Sequence, residues 1–258
     1  MILRLVNLSI IILIAFVALT GCDRAQRVVT GGMPADPMMD ESMTEMEAEI
    51  PVKLVWLIDY PEGEKNTYIA WVASIAATLQ SPEEVVQISS YDNVEADMRP
   101  NRLVEFEFDS FLDAATYLNR PEIAAVLEDL PNHSSDATVH TFIQRSDYSK
   151  GEEGPWKIKG IYLIDYPLGG KDAYLEWVAS ISPVLIGPPQ LKAIASYDNY
   201  YGESPHRLVQ LEFASQEDID TYELIEEVAA VEVELDNQAG SWELHTFELR
   251  SDYINEQY

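Results

Sequence analysis

Trp56–Ile75 reads WLIDYPEGEKNTYIAWVASI, and Tyr162–Ile181 reads YLIDYPLGGKDAYLEWVASI. The correspondence continues in both directions. SYDN recurs at Ser90–Asn93 and Ser196–Asn199, and RLVEFEF at Arg102–Phe108 returns as RLVQLEF at Arg207–Phe213. HTFIQRSDY at His140–Tyr148 returns as HTFELRSDY at His245–Tyr253. Close to half of the aligned residues match, and the second copy is one residue shorter between Met98 and Pro100. The period is that of a whole domain, longer than the units of a solenoid. The chain is a tandem duplication, with repeat 1 over residues 51–150 and repeat 2 over 156–254.

Within repeat 1, Lys53–Tyr60 is a β-rich apolar run closed by Pro61 and Gly63, hence a strand and a turn. Tyr68, Val72, Ile75 and Leu79 follow at helical spacing, ending near Ser81-Pro82. Val85–Tyr91 and Arg102–Phe108 read as strands joined by a hairpin loop. Ser110 and Asp113 cap a second helical region that runs to about Leu130 and breaks before Pro121, and Thr138–Arg145 is a fourth strand. The order β-α-β-β-α-β is the split βαβ of a ferredoxin-like unit. Such a unit covers only one sheet face with helices, so the second copy is the natural cover for the other. The expected fold class is α+β: two ferredoxin-like βαββαβ repeats packed sheet-to-sheet as a pseudo-dimeric α/β barrel with isologous contacts.

These features resemble the dimeric α/β-barrel superfamily. Tyr117-Leu-Asn-Arg-Pro121-Glu is similar to the Y-x-x-x-P element of many members, whereas Tyr222-Glu-Leu-Ile-Glu226 in repeat 2 lacks the proline. The superfamily holds cofactor-independent monooxygenases, heme enzymes such as chlorite dismutase, muconolactone isomerase, and members without a known activity. The resemblance implies a ligand cleft between sheet and helices. It does not select among these chemistries.

Ahead of the repeats, Arg4 and the apolar run Ile10–Leu19 form a short signal sequence. It ends in Leu19-Thr20-Gly21-Cys22, which resembles the bacterial lipobox. The expectation is a signal peptide over 1–21, cleavage before Cys22, lipidation of that cysteine, and a membrane-anchored protein of the cell envelope facing the periplasm or exterior. Cys22 is the chain's one cysteine, so disulfides and thiolate clusters are not available. Residues 22–50 read as a disordered acidic tether. It holds five of the seven methionines, whose irregular spacing without His or Cys favours a linker over a copper site.

Sixteen basic against 45 acidic residues give a net charge of −29. That excludes a basic nucleic-acid footprint and polybasic attraction to anionic lipid, leaving the lipid on Cys22 as the membrane tether. Mutually satisfied repeats point to a monomer.

Candidate chemistry centres on polar residues present in both copies. Asp59-Tyr60-Pro61 and Asp92-Asn93 fit turns. Arg145 and Asp147 leave the last strand, where they can pair with each other or a neighbour. Glu107 and His140, with Glu212 and His245, are the catalytic candidates. Alternation places Glu107 with Leu103 and Glu105, and His140 with Phe142, on the two strands that flank strand one in a 4-1-3-2 sheet. A His–carboxylate pair would serve acid–base chemistry. No tight ligand spacing supports a metal, and heme would depend on His133, which has no counterpart in repeat 2. No cofactor is expected. The aromatics Trp56, Tyr60, Trp71 and Tyr91, with Tyr162, Tyr166, Trp177 and Tyr197, are the ligand-binding candidates for a flat apolar molecule. Three function classes stay open: a small-molecule binding or sensing module; a cofactor-independent oxygenase or isomerase using His with a neighbouring carboxylate or Tyr; and a structural or protein-interaction module without a ligand.

Overall fold

The computed structural model describes residues 50–151 and 156–255. The expected signal peptide, Cys22 and the expected tether as far as residue 49 lie outside the described residues. Repeat 1 comprises β1 (Val52–Asp59), α1 (Lys65–Gln80), β2 (Gln87–Asn93), β3 (Arg102–Phe108), α2 (Phe111–Leu118), α3 (Pro121–Asp129) and β4 (Asp136–Ser149). Repeat 2 follows with β5 (Ile158–Asp165), α4 (Lys171–Ile186), β6 (Leu191–Asn199), β7 (Arg207–Phe213), α5 (Gln216–Glu223), α6 (Glu226–Gln238) and β8 (Ser241–Ile254). The second helical region is broken at Pro121, as the sequence implies. Proline at the first helical position needs no amide partner. The Ser110 hydroxyl accepts from the Asp113 amide at 3.1 Å, and Ser215 repeats this with Asp218 at 3.2 Å. Ser110→Ala should therefore cost about 1 kcal/mol in a denaturant titration.

All eight strands close into one barrel in the order β1-β3-β2-β8-β5-β7-β6-β4. Each half keeps the expected 4-1-3-2 order, and the halves meet edge to edge through β2·β8 and β4·β6 ladders. Those seams explain why β4 and β8 run to Ser149 and Ile254. The segment Ser146–Ser149 pairs with Ser196–Ala193 of the other repeat. Every neighbouring pair is antiparallel, so strand direction alternates around the barrel. β1 and β5 stand four steps apart and run the same way. The pseudo-twofold therefore lies along the barrel axis, and twin residues occupy the same depth.

Alternation divides the strands into two environments. Outward residues such as Leu54, Trp56, Ile58, Val104, Phe106 and Phe108 pack beneath the helices of repeat 1. Inward residues from both copies, Val55, Tyr91, Leu103 and Phe142 with Ile161, Tyr197, Leu208 and Phe247, fill the lumen. Mutual coverage of the two bare sheet faces is thus a filled barrel.

Candidate functional site

Charge enters the lumen among its apolar residues, with Glu105 opposite Val55 and Lys53 opposite Phe142. Lys53 on β1 and Lys159 on β5 are buried twins, and Glu105 on β3 lies between them. Lys159 Nζ donates to Glu105 Oε2 at 2.7 Å. Lys53 Nζ stands 3.2 Å from Glu105 Oε1 without hydrogen-bond alignment, and donates to Gln210 Oε1 at 3.0 Å. Gln210 occupies the place in repeat 2 that Glu105 holds in repeat 1. Glu107 and Glu212 sit nearer solvent, 3.1 Å from Lys53 and 3.4 Å from Lys159. Tyr197 and Tyr91 receive the two ammonium groups over their rings at 4.9 and 4.6 Å. Burial alone would raise the pKa of Glu105, but Lys159 and Lys53 outweigh it and hold it at about 2. Burial likewise works to discharge Lys53, yet Glu105, Tyr197 and Glu107 keep its pKa well above the ordinary lysine value. The network stays ionised and crosses the boundary between repeats.

This geometry corrects the expected His140–Glu107 pair. Both side chains face the lumen, but they belong to different rungs. His140 stands opposite Val55, whose partner is Glu105, whereas Glu107 stands opposite Lys53, whose partner is Phe142. Lys53 takes Glu107. His140 has no hydrogen bond or ion pair among the described residues; it packs near the Phe142 ring at 5.9 Å, and burial lowers its pKa. His245 differs from its twin: it is buried, its Nε2 lies 3.2 Å from Glu243, and its Nδ1 has no partner among the described residues. Glu212 accepts from Gln210 as well as facing Lys159.

Outside the lumen, twin polar knots account for most of the other matched residues. Asp92 accepts from the Tyr60 hydroxyl (2.9 Å), Lys65 (2.7 Å), Arg102 (3.2 Å) and Arg250 (3.2 Å). Asp198 repeats the pattern with Tyr166 (2.7 Å), Lys171 (3.1 Å), Arg207 (3.0 Å) and Arg145 (3.2 Å). Arg250 and Arg145 are each the extra residue of a β-bulge in the seam ladders. A bulge re-aims its unpaired side chain, and here the arginine reaches the aspartate of the opposite repeat. Arg145 therefore pairs across the seam, not with Asp147. Burial pushes the Tyr60 hydroxyl up to about 12, with Arg102 opposing. Asp92 lies below the usual carboxylate range because Lys65, Tyr60 and Arg102 overcome its burial.

One cavity, about 100 Å³, lies between α1 and the sheet of repeat 1. Trp56, Tyr68, Trp71 and Arg102 line it, together with Ser251 and Tyr253 from β8 of repeat 2. Among the described residues two buried donors on this wall have no partner, Trp56 Nε1 and Arg102 Nε. The other guanidinium nitrogens of Arg102 are occupied by Tyr60, Asp92 and Ser90. Arg207 Nε is also orphaned in repeat 2, as is Trp177 Nε1. Buried donors without partners are uncommon in folded proteins.

The eight aromatic candidates thus separate into groups. Trp56 and Trp71 share the cleft, though Trp71 donates to Asp129 at 3.0 Å and stacks on His133 with ring centroids 4.5 Å apart. Tyr60 and Tyr166 belong to the knots, and Tyr91 and Tyr197 to the lumen. Tyr162 and Trp177 pack in the helix layer of repeat 2. His133 Nε2 lies 3.0 Å from Asp129, so that ring already has polar and stacking partners. Among the described residues no group of three or more His, Cys, Asp or Glu could hold a metal ion, and no helix is long and apolar enough to cross a membrane.

No protein-family model and no curated protein sequence matches this chain. Solved structures do. An anthrone oxidase-like protein is 12% identical, with a TM-score of 0.64, covering 81% of this chain and 94% of that one. A provisionally assigned monooxygenase from Fusobacterium nucleatum is 8% identical with a TM-score of 0.61, covering 80% and 95%. A chlorite dismutase variant from Candidatus Nitrospira defluvii is 10% identical with a TM-score of 0.52, covering 83% and 96%. The fold is that of the dimeric α/β barrels. At such identities the likeness concerns backbone architecture. As a fused dimeric α/β barrel, the chain has both halves in one polypeptide and can differentiate them. The lumen shows this at Glu105 and Gln210. The sequence signal of that cluster, absent from the expected site residues, is a lysine inside an apolar strand of both copies, V-K-L-V and I-K-G-I.

Proposed function

We propose that the chain is an envelope lipoprotein whose fused barrel binds a small molecule in the cleft between α1 and the sheet of repeat 1. The observation that carries this reading is the pair of buried, unpartnered donors, Trp56 Nε1 and Arg102 Nε, on the wall of one cavity. A ligand with a hydrogen-bond acceptor would satisfy them, and the Trp56, Tyr68 and Trp71 rings would hold its apolar part. The volume corresponds to about three water molecules, so a larger ligand requires α1 to shift outward. The lipobox-like Leu19–Cys22 supports anchoring through Cys22. Repeats that close each other's sheet edges support a monomer.

Native mass spectrometry of the full chain extracted from its own envelope tests both parts. The expected spectrum shows acyl mass on Cys22 and a retained small molecule. In Trp56→Phe, which keeps the ring and loses the N–H, ligand affinity should fall by up to about tenfold, the worth of one neutral hydrogen bond. A wild-type spectrum without a retained molecule, or unchanged retention in the variant, would count against the cleft. A Cys22 without acyl mass would count against the anchor.

A further inference from the structure

Repeat 1 serves as an internal reference for a loop that repeat 2 has rebuilt. Asp59 and Asp165 are twins at the ends of β1 and β5. Around Asp59 stand Arg99, Asn101 and Asp136; at the same places around Asp165 stand Ser204, His206 and Ser241. The first arrangement is closed on itself. Arg99 lies 3.5 Å from Asp59 and donates to Asn101 Oδ1 at 2.9 Å. The Asn101 amide nitrogen donates in turn to the Met98 carbonyl.

The second arrangement leaves an open valence. Asp165 Oδ2 accepts from the Ser204 and Ser241 hydroxyls at 2.8 and 2.9 Å, while Oδ1 accepts the His206 amide at 3.3 Å and faces His206 Nδ1 at 2.6 Å. Burial opposes ionisation of Asp165, but Ser204, Ser241 and His206 outweigh it and hold its pKa below the ordinary aspartate value. An ionised carboxylate cannot donate, so the shared hydrogen is on Nδ1. In the neutral ring that placement leaves Nε2 as the acceptor, the tautomer that a carboxylate-oriented histidine adopts. It has no hydrogen-bond partner among the described residues. His206 lines an open depression of about 390 Å³ with Tyr166, Pro167, Leu168, Lys171 and Asp172.

We propose that repeat 2 carries a second site, distinct from the cleft, in which His206 Nε2 accepts a proton from a small, neutral weak acid. The apolar body of the ligand rests on Pro167 and the fully exposed Leu168. On transfer, the ligand O–H bond breaks and an N–H bond forms at Nε2. The imidazolium is paired with Asp165, and the ligand anion faces the half-exposed Lys171 ammonium, which Asp198 also engages. Asp172 on the same rim, in a chain of net charge −29, disfavours ligands that arrive already anionic.

Two measurements on the full chain test this, with p-nitrophenol as the probe. Nitrogen NMR of histidine-labelled protein should show His206 protonated at Nδ1 and bare at Nε2. Binding of p-nitrophenol should convert its absorption to that of the phenolate. His206→Asn copies the residue that repeat 1 folds with, so the melting temperature should hold while probe affinity falls at least tenfold. Trp56→Phe should leave this response unchanged. An Nε2–H tautomer, an unshifted probe spectrum in wild type, or an equal shift in His206→Asn would each overturn the proposal.

Discussion

Glu105→Gln is expected to lower unfolding free energy by about 3–5 kcal/mol, read from the midpoint shift in a guanidinium titration. The reason is the isolation of charge rather than the loss of an attraction. A buried ion pair contributes little over an apolar replacement, but removing one partner strands the other in a medium of low polarity. Here one carboxylate, its side chain 1% exposed, serves two lysines at 3% and 6%. The same residues fix the pH response. Glu105 has a folded pKa of about 2 against an ordinary 4.5. Its contribution is therefore fully present above the unfolded value and disappears as pH falls toward the folded one. The sign reverses for Lys53 and Lys159, whose folded values are raised. Their contribution is present below 10.5 and is lost as pH climbs through the higher folded values. Stability measured against pH should show an acid limb that flattens in Glu105→Gln.

Asp92→Asn should cost at least about 3 kcal/mol, and Asp198→Asn a similar amount. Each aspartate gathers two donors from its own sheet layer, one from a helix and one from the other repeat. The decisive partner is the arginine at the start of β3 or β7, which is 6% exposed in both copies. Without its aspartate it becomes an uncompensated buried cation. Arg250→Ala provides the contrast. That guanidinium is 48% exposed, so its bond to Asp92 is screened by solvent and the loss should stay within about 1 kcal/mol. If the two substitutions cost the same, the knot is a surface bridge and the burial argument fails.

Much of this fold is legible in the chain because duplication doubles each signal. Trp56–Ile75 and its copy both show a strand, a turn and an apolar helical stripe. The seams were harder to read. Arg145–Ser149 is polar, and its extended form depends on β6 of the other repeat, a contact that local pattern does not encode. The polar knots were visible only as a roster of shared residues, since a bulge decides where Arg145 and Arg250 point. The His140–Glu107 pair does not form because alternation reports a face but not a rung, and Lys53 on the strand between them takes the carboxylate. His206 shows the opposite blind spot. Agreement between copies marks the polar knots, whereas this histidine is informative because the copies disagree.

The covalent link between Tyr148 and Trp156, joining two halves about an axis that runs through the barrel, changes what a substitution can do. In a symmetric pair of separate chains every change appears twice, so a second carboxylate facing the lumen lysines comes as part of the set. Here a glutamine can stand on one side and a glutamate on the other. A histidine can likewise enter one rim while an asparagine keeps the other shut. Each half can hold the barrel for its neighbour while the neighbour experiments.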